Sequence, residues 1–153
     1  DCEYHHGTFL RHAIEEGLVD GKKSWQFGIR GPLAGADDLD FVRRHKLNVT
    51  TVDDVRIKGL EAFLKSIPKF DDTPTYISFD VDCLDPVYAP GTGTPVPGGL
   101  TTYETQRILR SFRIPNLIGA DVVEVSPPYD VAQLTALAAV DTVFEILGLM
   151  ASS

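Results

Sequence analysis

Asp80 and Asp82 stand two residues apart at the end of an apolar run, within Ser78-Phe79-Asp80-Val81-Asp82-Cys83-Leu84-Asp85-Pro86. The segment Thr75 to Phe79 is β-branched and aromatic and is bounded by Pro74 and the Asp85-Pro86 break, which predicts a short buried strand. On a strand, residues i and i+2 share a face, so the two carboxylates are expected side by side. Neighbouring anions after an apolar segment repel each other and resist desolvation unless a cation sits between them. Carboxylate oxygens suit ions such as Mg²⁺ and Mn²⁺. Two closely spaced ions lower the pKa of a shared water enough to give hydroxide near neutral pH, the chemistry of metal-assisted hydrolysis. Two other readings of a bare Asp-x-Asp stand beside this one. In the first, the aspartates cap the turn before Pro86. In the second, an aspartyl phosphatase, Asp80 attacks phosphorus and Asp82 is its acid or base. An EF-hand is excluded, because the twelfth residue counted from Asp80 is Gly91 rather than a glutamate.

The elements that must position these groups alternate along the chain. A short amphipathic helix is expected over Thr8 to Glu16 with Gly17 as its stop, then a strand over Ser24 to Ile29. A helix over Ala36 to His45, with Leu39, Phe41 and Val42 inward, precedes a strand over Asn48 to Val52. Asp54 is placed to cap a helix from Val55 to Ile67. After the strand Thr75 to Val81, a Pro- and Gly-rich loop runs to Thr101, which forms a Thr-x-x-Glu capping box with Glu104 and starts a helix reaching about Phe112. A buried strand is expected over Asn116 to Val125. Asp130 and Gln133 are placed to cap a final helix, Val131 to Met150, whose Ala and Leu content predicts burial on more than one side. Such alternation means an α/β domain with a largely parallel sheet flanked by helices. In these sheets ligands bind beyond the carboxyl ends of the strands, where Asp80, Asp82 and Glu124 all fall.

The 153 residues, 43% hydrophobic and 24% charged, suit one globular domain. A net charge of −8 argues against nucleic-acid or anionic-membrane partners and suits a small cationic substrate. Cys2 and Cys83 make no disulfide framework, which points to a reducing, cytoplasmic setting. No run is expected to be long and apolar enough to span a bilayer. The chain opens on Asp-Cys-Glu-Tyr-His-His without an initiator Met, which reads as entry in mid-loop of a longer protein.

The loop Pro90-Gly91-Thr92-Gly93-Thr94-Pro95-Val96-Pro97-Gly98-Gly99 combines glycines that allow close backbone approach with prolines that restrict the unfolded chain. Together with Ser-Phe-Asp-Val-Asp-Cys-Leu-Asp-Pro before it and Leu-Thr after it, the segment is very similar to the signature of the ureohydrolases, the manganese enzymes that include arginases and agmatinases. Tyr4-His5-His6-Gly7-Thr8-Phe9 resembles the family's His-Gly element, and Gln26-Phe27-Gly28-Ile29-Arg30-Gly31 the strand that follows it. Asp121-Val122-Val123-Glu124-Val125-Ser126-Pro127-Pro128-Tyr129-Asp130, with Leu134 to Ala139, is closer to the agmatinase ending than to the arginase one.

The resemblance implies a three-layer α/β/α, arginase-like fold with a mainly parallel sheet, incomplete at the N-terminus, with residues 1–153 the C-terminal part of a single domain. It implies that Asp80 bridges two Mn²⁺ ions and that Asp82 ligates one of them. It makes His6 the proton shuttle, work that suits an imidazole titrating near neutrality. Glu124 would orient a small cationic guanidino substrate, a planar group that carboxylates hold in bidentate fashion. Thr94 would line the substrate site through its hydroxyl. His5, His12 and His45 are expected to be solvated. The implied activity is hydrolysis of a guanidino compound, agmatine first, to urea and an amine, in a homo-oligomer (trimer or hexamer). The family's His-x-Asp-x-His-x-Asp motif is absent here. This chain alone is therefore expected to bind Mn²⁺ weakly and to hydrolyse nothing, the complete parent being the enzyme. A non-catalytic subunit of the same fold is the alternative that this absence leaves open.

Overall fold

The computed structural model describes residues 4–32, 35 and 38–152. Cys2, Ala36 and Asp37 lie outside these residues. The chain falls into two compact units, residues 1–51 and 52–153.

In the first unit, α1 (Phe9–Glu15) stops where Gly17 takes a φ of 74°, and Leu18 N–H returns to Ala13 O at 2.9 Å. A glycine tolerates this left-handed turn without a Cβ clash. β1 (Trp25–Ile29) and β2 (Asn48–Thr51) pair in parallel, with α2 (Asp38–His45) as the crossover. Asn48 Nδ2 ties the start of β2 to Lys22 O and Ser24 O, both at 3.0 Å. Leu39 is 40% exposed rather than inward. Phe41 packs on His45, one turn along, and Leu39, two positions before Phe41, falls on nearly the opposite side of the helix. His12 and His45 are half-buried, His12 stacked on Tyr4 and His45 packed on Phe41, so neither is simply solvated.

The second unit carries the carboxylates. β3 (Thr75–Asp80) and β4 (Leu117–Val123) pair in parallel, Ser78 opposite Asp121 and Asp80 opposite Val123. The crossover contains α5 (Thr102–Ser111), which opens on the expected capping box: Thr101 Oγ1 accepts from Glu104 N–H at 3.0 Å, and Glu104 Oε2 accepts from Thr101 N–H at 2.7 Å. α6 (Leu134–Ala151) packs against β4 and α5. Phe79, Val81, Leu84, Leu109, Ala138 and Ile146 are buried in the core. Burial of these apolar side chains is the main stabilising term, at about 25 cal/mol per Å² removed from water.

Several boundaries differ from the sequence expectation. The single helix expected over Val55 to Ile67 is two, α3 (Val52–Lys58) and α4 (Leu60–Leu64), because Gly59 adopts a φ of 79° that no helix continues through. Val52, 2% exposed, is the first residue of α3 and not the last of a strand. α6 begins at Leu134 rather than Val131, since Gln133 takes a left-handed φ of 60° and makes no side-chain cap. Asp130 does serve this terminus, accepting from Thr135 N–H at 2.9 Å and Ala136 N–H at 3.0 Å. Nor is α6 buried on several sides. Thr135, Ala138, Thr142 and Ile146 are covered, whereas Leu137, Val140, Phe144 and Leu147 are 66%, 66%, 74% and 57% exposed.

α6 is also long and apolar enough to cross a membrane, with a mean hydropathy of 1.7 over 18 residues, contrary to the expectation that no run is. Its charged groups are engaged within the fold: Gln106 Nε2 donates to Asp141 at 2.7 Å, and Arg110 grips both oxygens of Glu145. Those contacts and the packed face make it a helix of this α/β unit.

Thr101→Ala removes one side of the capping box. It should lower the unfolding free energy by about 1 kcal/mol, read as a shift in the urea midpoint without a change in slope. An unchanged midpoint would show that the box contributes nothing.

Candidate active site

The carboxylates meet at the carboxyl end of the β3–β4 pair. Asp80 is the last residue of β3, but Asp82 lies in a 3₁₀ turn over Val81–Cys83 rather than on the strand. Their proximity comes from that turn. Asp80 Oδ1 accepts from Asp82 N–H at 2.9 Å, so Asp80 acts as the cap that folds its neighbour back toward it. Glu124 follows β4 and takes a φ of 67°, a left-handed conformation uncommon for a non-glycine residue and often found at functional sites. A Cβ on Gly93 would stand 3.7 Å from Glu124 Oε2, so this carboxylate lies over the Gly-Thr-Gly-Thr loop.

The loop is anchored on both sides of Thr94. Gly91 N–H donates to the buried Thr135 Oγ1 at 2.8 Å, and Gly91 O accepts from Ser126 N–H at 2.7 Å. A Cβ on Gly91 would fall 2.6 Å from Asp130 Cβ, which explains the glycine as a close approach between two backbones. Downstream, Asp85 Oδ2 accepts from Gly98 N–H at 2.7 Å and Gly99 N–H at 3.2 Å. Arg56 of α3 donates to Gly99 O at 2.6 Å. Asp85 and the glycines therefore shape the loop together with Thr135, which falls in the Leu134 to Ala139 segment already singled out, whereas Arg56 carried no motif that could have flagged it. Thr94 Oγ1 donates to Asp82 Oδ2 at 2.7 Å.

Electrostatics distinguish Asp80 from its neighbours. Desolvation pushes its carboxyl up from 3.8 to about 6, and the charges of Asp82 and Glu124 add to the rise against the opposing Asp82 N–H bond. Half-buried carboxylates crowded in this way form a pocket of negative potential with hard oxygen donors, which is the chemistry that Mn²⁺ or Mg²⁺ requires. The donor set fits one side of such a site. Among the described residues no group of three or more His, Cys, Asp or Glu side chains could hold a metal ion by itself. His6 is exposed in a turn of the other unit, before α1. The structure thus brings Asp80, Asp82, Glu124 and Thr94 together in one unit and places His6 in the other.

Residues 1–148 match the sequence model of the Arginase family. The guanidinopropionase of Pseudomonas aeruginosa is 47% identical over 100% of this chain and 48% of its own length. The agmatinase of Chromobacterium violaceum is 46% identical over 95% of this chain and 43% of its own. Among solved structures, the proclavaminate amidino hydrolase of Streptomyces clavuligerus superposes with a TM-score of 0.82 at 40% identity, covering 94% of this chain and 48% of that one. The chain spans about half the length of these relatives.

In metal-free protein the raised Asp80 carboxyl has a signed consequence. Between pH 3.8 and about 6 the folded state holds a proton that the unfolded chain has lost, so Asp80 withdraws stability as the pH rises through this window. Asp80→Asn, measured in chelator, should therefore stabilise the fold at pH 7 by about 1 kcal/mol after solvent screening, and by almost nothing below pH 4. A variant equally stabilised or destabilised at both pH values would refute this account.

Proposed function

This chain belongs to the arginase family, and from that premise we propose that the protein of which it forms part hydrolyses a linear guanidino compound to urea and an amine, with Asp80 and Asp82 holding Mn²⁺. The carrying observation is the crowding of Asp80, Asp82 and Glu124 at one sheet end, with the Asp80 carboxyl displaced to about 6. When bound, two Mn²⁺ ions supply an activated water and stabilise developing negative charge.

The remaining roles belong to the chain's own groups. Asp80, fixed at the strand end, and Asp82, fixed by the turn, present oxygens from two directions. Glu124 carries the charge and planarity to pair with a guanidinium through two parallel N–H···O bonds, which orients the central carbon. Its side chain reaches the loop at Gly93, where an added Cβ would be in ordinary contact with Glu124 Oε2 at 3.7 Å. His6 is assigned proton transfer to the departing amine. The apolar face of α6, with Phe144 74% exposed, supports a setting within a longer protein, since patches of this kind are normally covered.

We assign agmatine as the substrate to test first, on the negative charge of the chain and its agmatinase relatives. The relative named guanidinopropionase favours a guanidino acid as the second reading. A panel of both, assayed for urea on the full-length protein, separates them. Asp80→Asn should abolish Mn²⁺ retention and urea release together. Glu124→Gln should keep the metal while lowering kcat/KM by roughly 10²-fold or more, the effect of leaving a guanidinium without its charged partner. Undiminished urea release by Asp80→Asn would end the assignment, and a parent that neither retains Mn²⁺ nor releases urea would be a non-catalytic subunit.

A further inference from the structure

We propose that Arg56 is a positioning residue for the loop over residues 85–99, acting with Asp85 to hold closed the neck from which that loop reaches the carboxylates. The inference rests on the reading of Asp80, Asp82 and Glu124 as the reactive site given above, and it deepens that reading by assigning what holds the covering loop in place. The loop leaves at Asp85 and returns at Gly99, the form of an Ω-loop, whose ends lie close together. Backbone bonds join the ends: Asp85 N–H donates to Leu100 O at 2.9 Å, and Leu100 N–H to Cys83 O at 3.0 Å. Leu84 and Leu100, which flank these bonds, are both buried. A Cβ on Gly99 would stand 2.4 Å from Leu84 C and from Asp85 N, so the two sides of the neck meet backbone to backbone.

Opposite charges grip Gly99 from its two polar groups. Asp85 Oδ2 accepts from Gly98 N–H at 2.7 Å and from Gly99 N–H at 3.2 Å. The Arg56 guanidinium, presented by α3, donates to Gly99 O at 2.6 Å, a bond of the stronger, charge-assisted kind. Asp85 belongs to the neck itself, whereas Arg56 ties the neck to another element. The loop that this neck carries faces the site. Thr94 Oγ1 donates to Asp82 Oδ2 at 2.7 Å and keeps lone pairs that can accept from a guanidinium N–H, and Gly93 lies beside Glu124 Oε2. Upstream of Thr94 the loop is tied at Gly91 by Thr135 and Ser126. Thr94 therefore stands between two anchors, and Arg56 secures the downstream one. With that anchor loosened, the closed loop is only a fraction of the population. Apparent substrate affinity then falls by this fraction, while the saturated complex, which selects the closed loop, is unchanged.

The test uses the full-length protein at saturating Mn²⁺. Arg56→Met keeps an apolar stem and removes every donor, and Arg56→Lys keeps a cationic donor. Hydrogen–deuterium exchange is followed in the peptide carrying Gly98, Gly99 and Leu100, and kcat and KM are measured with agmatine and with guanidinopropionate. Arg56→Met should speed exchange in that peptide about tenfold, the scale of one hydrogen bond to a charged group, and raise KM roughly 3- to 10-fold with kcat within about twofold. Arg56→Lys should bring both readouts back to within about threefold of the parent. Should Arg56→Met fail to fold, Arg56→Leu carries the same readouts. Unchanged exchange in the neck peptide overturns the proposal, as does faster exchange there with an unchanged KM, since the neck would then position nothing that the substrate meets. Exchange that quickens equally throughout the protein also overturns it, because Arg56 would then stabilise the fold at large. Arg56→Lys no better than Arg56→Met overturns it as well, because the donor would not be the cause. A parent that releases no urea from either compound removes the assigned reaction, and the exchange measurement alone then decides for or against the clamp.

Discussion

Like charges crowded at the end of a parallel strand pair are the constraint around which the second unit is built. Asp80, Asp82 and Glu124 are drawn together although the charges of Asp82 and Glu124 oppose the ionisation of Asp80. A parallel pair is suited to impose this, because β3 and β4 deliver their carboxyl ends to the same edge after one crossover. An antiparallel hairpin would send the two ends in opposite directions. The crowding opposes folding in the absence of a cation, so its persistence depends on the core beneath it. Phe79 and Val81, which bracket Asp80, are 8% and 0% exposed. They anchor the segment whether or not the carboxylates are content, and this is how a stable scaffold sustains a strained site.

A second requirement is that the loop over the carboxylates hold its shape without regular secondary structure. It does so by exchanging ladder bonds for side-chain clamps. Asp85 takes two consecutive amides, Thr135 a third, and Arg56 a carbonyl. Asp130 links the loop to α6: its carboxylate accepts from the first amides of the helix, while its backbone packs on Gly91. Desolvation acts to raise the Asp130 carboxyl, but these amide bonds outweigh it and hold the group below its ordinary value. The start of α6 and the shape of the loop are therefore coupled through one residue.

The parts of this arrangement legible in the sequence are those encoded locally. The Thr101–Glu104 capping box, the Gly17 stop and the existence of the strands flanking the carboxylates follow from residue type and spacing alone, but the expected burial of those strands does not hold, since Tyr76 and Ile118 are exposed. The Asp-x-Asp spacing led to the right neighbours by the wrong geometry: strand alternation predicts a shared face, whereas a turn begins at Val81 and brings Asp82 back by a backbone bond. Gly59 illustrates a further limit. Its φ of 79° splits a well-patterned helix, yet an isolated glycine in a helical pattern is often tolerated and does not announce its conformation. The single covered face of α6 was equally hidden. Composition reports how apolar a helix is, but the neighbours that cover it are set by tertiary structure. Arg56 is the clearest case, because its contact with Gly99 O spans 43 positions of sequence and leaves no local trace.

The ladder also explains why the two aspartates need different support. Asp80 inherits its position from β3, and burial, not a partner, dominates its ionisation. Asp82 stands beyond the last paired residue, on a turn stabilised by the Asp80 carboxylate itself. Any change that reorients Asp80 or Asp82 is thereby transmitted to the other through the capping bond, while the Thr94 hydroxyl holds the Asp82 carboxylate from the loop side. Removing the whole Asp80 side chain disturbs the turn as well as the charge, whereas an asparagine there keeps an oxygen that can cap the turn. Removing the Thr94 hydroxyl touches only one carboxylate oxygen and leaves the turn intact. The hierarchy runs from strand to turn to loop, and the long, clamped Gly-Thr-Gly-Thr segment exists because the last member of that series has no ladder to hold it.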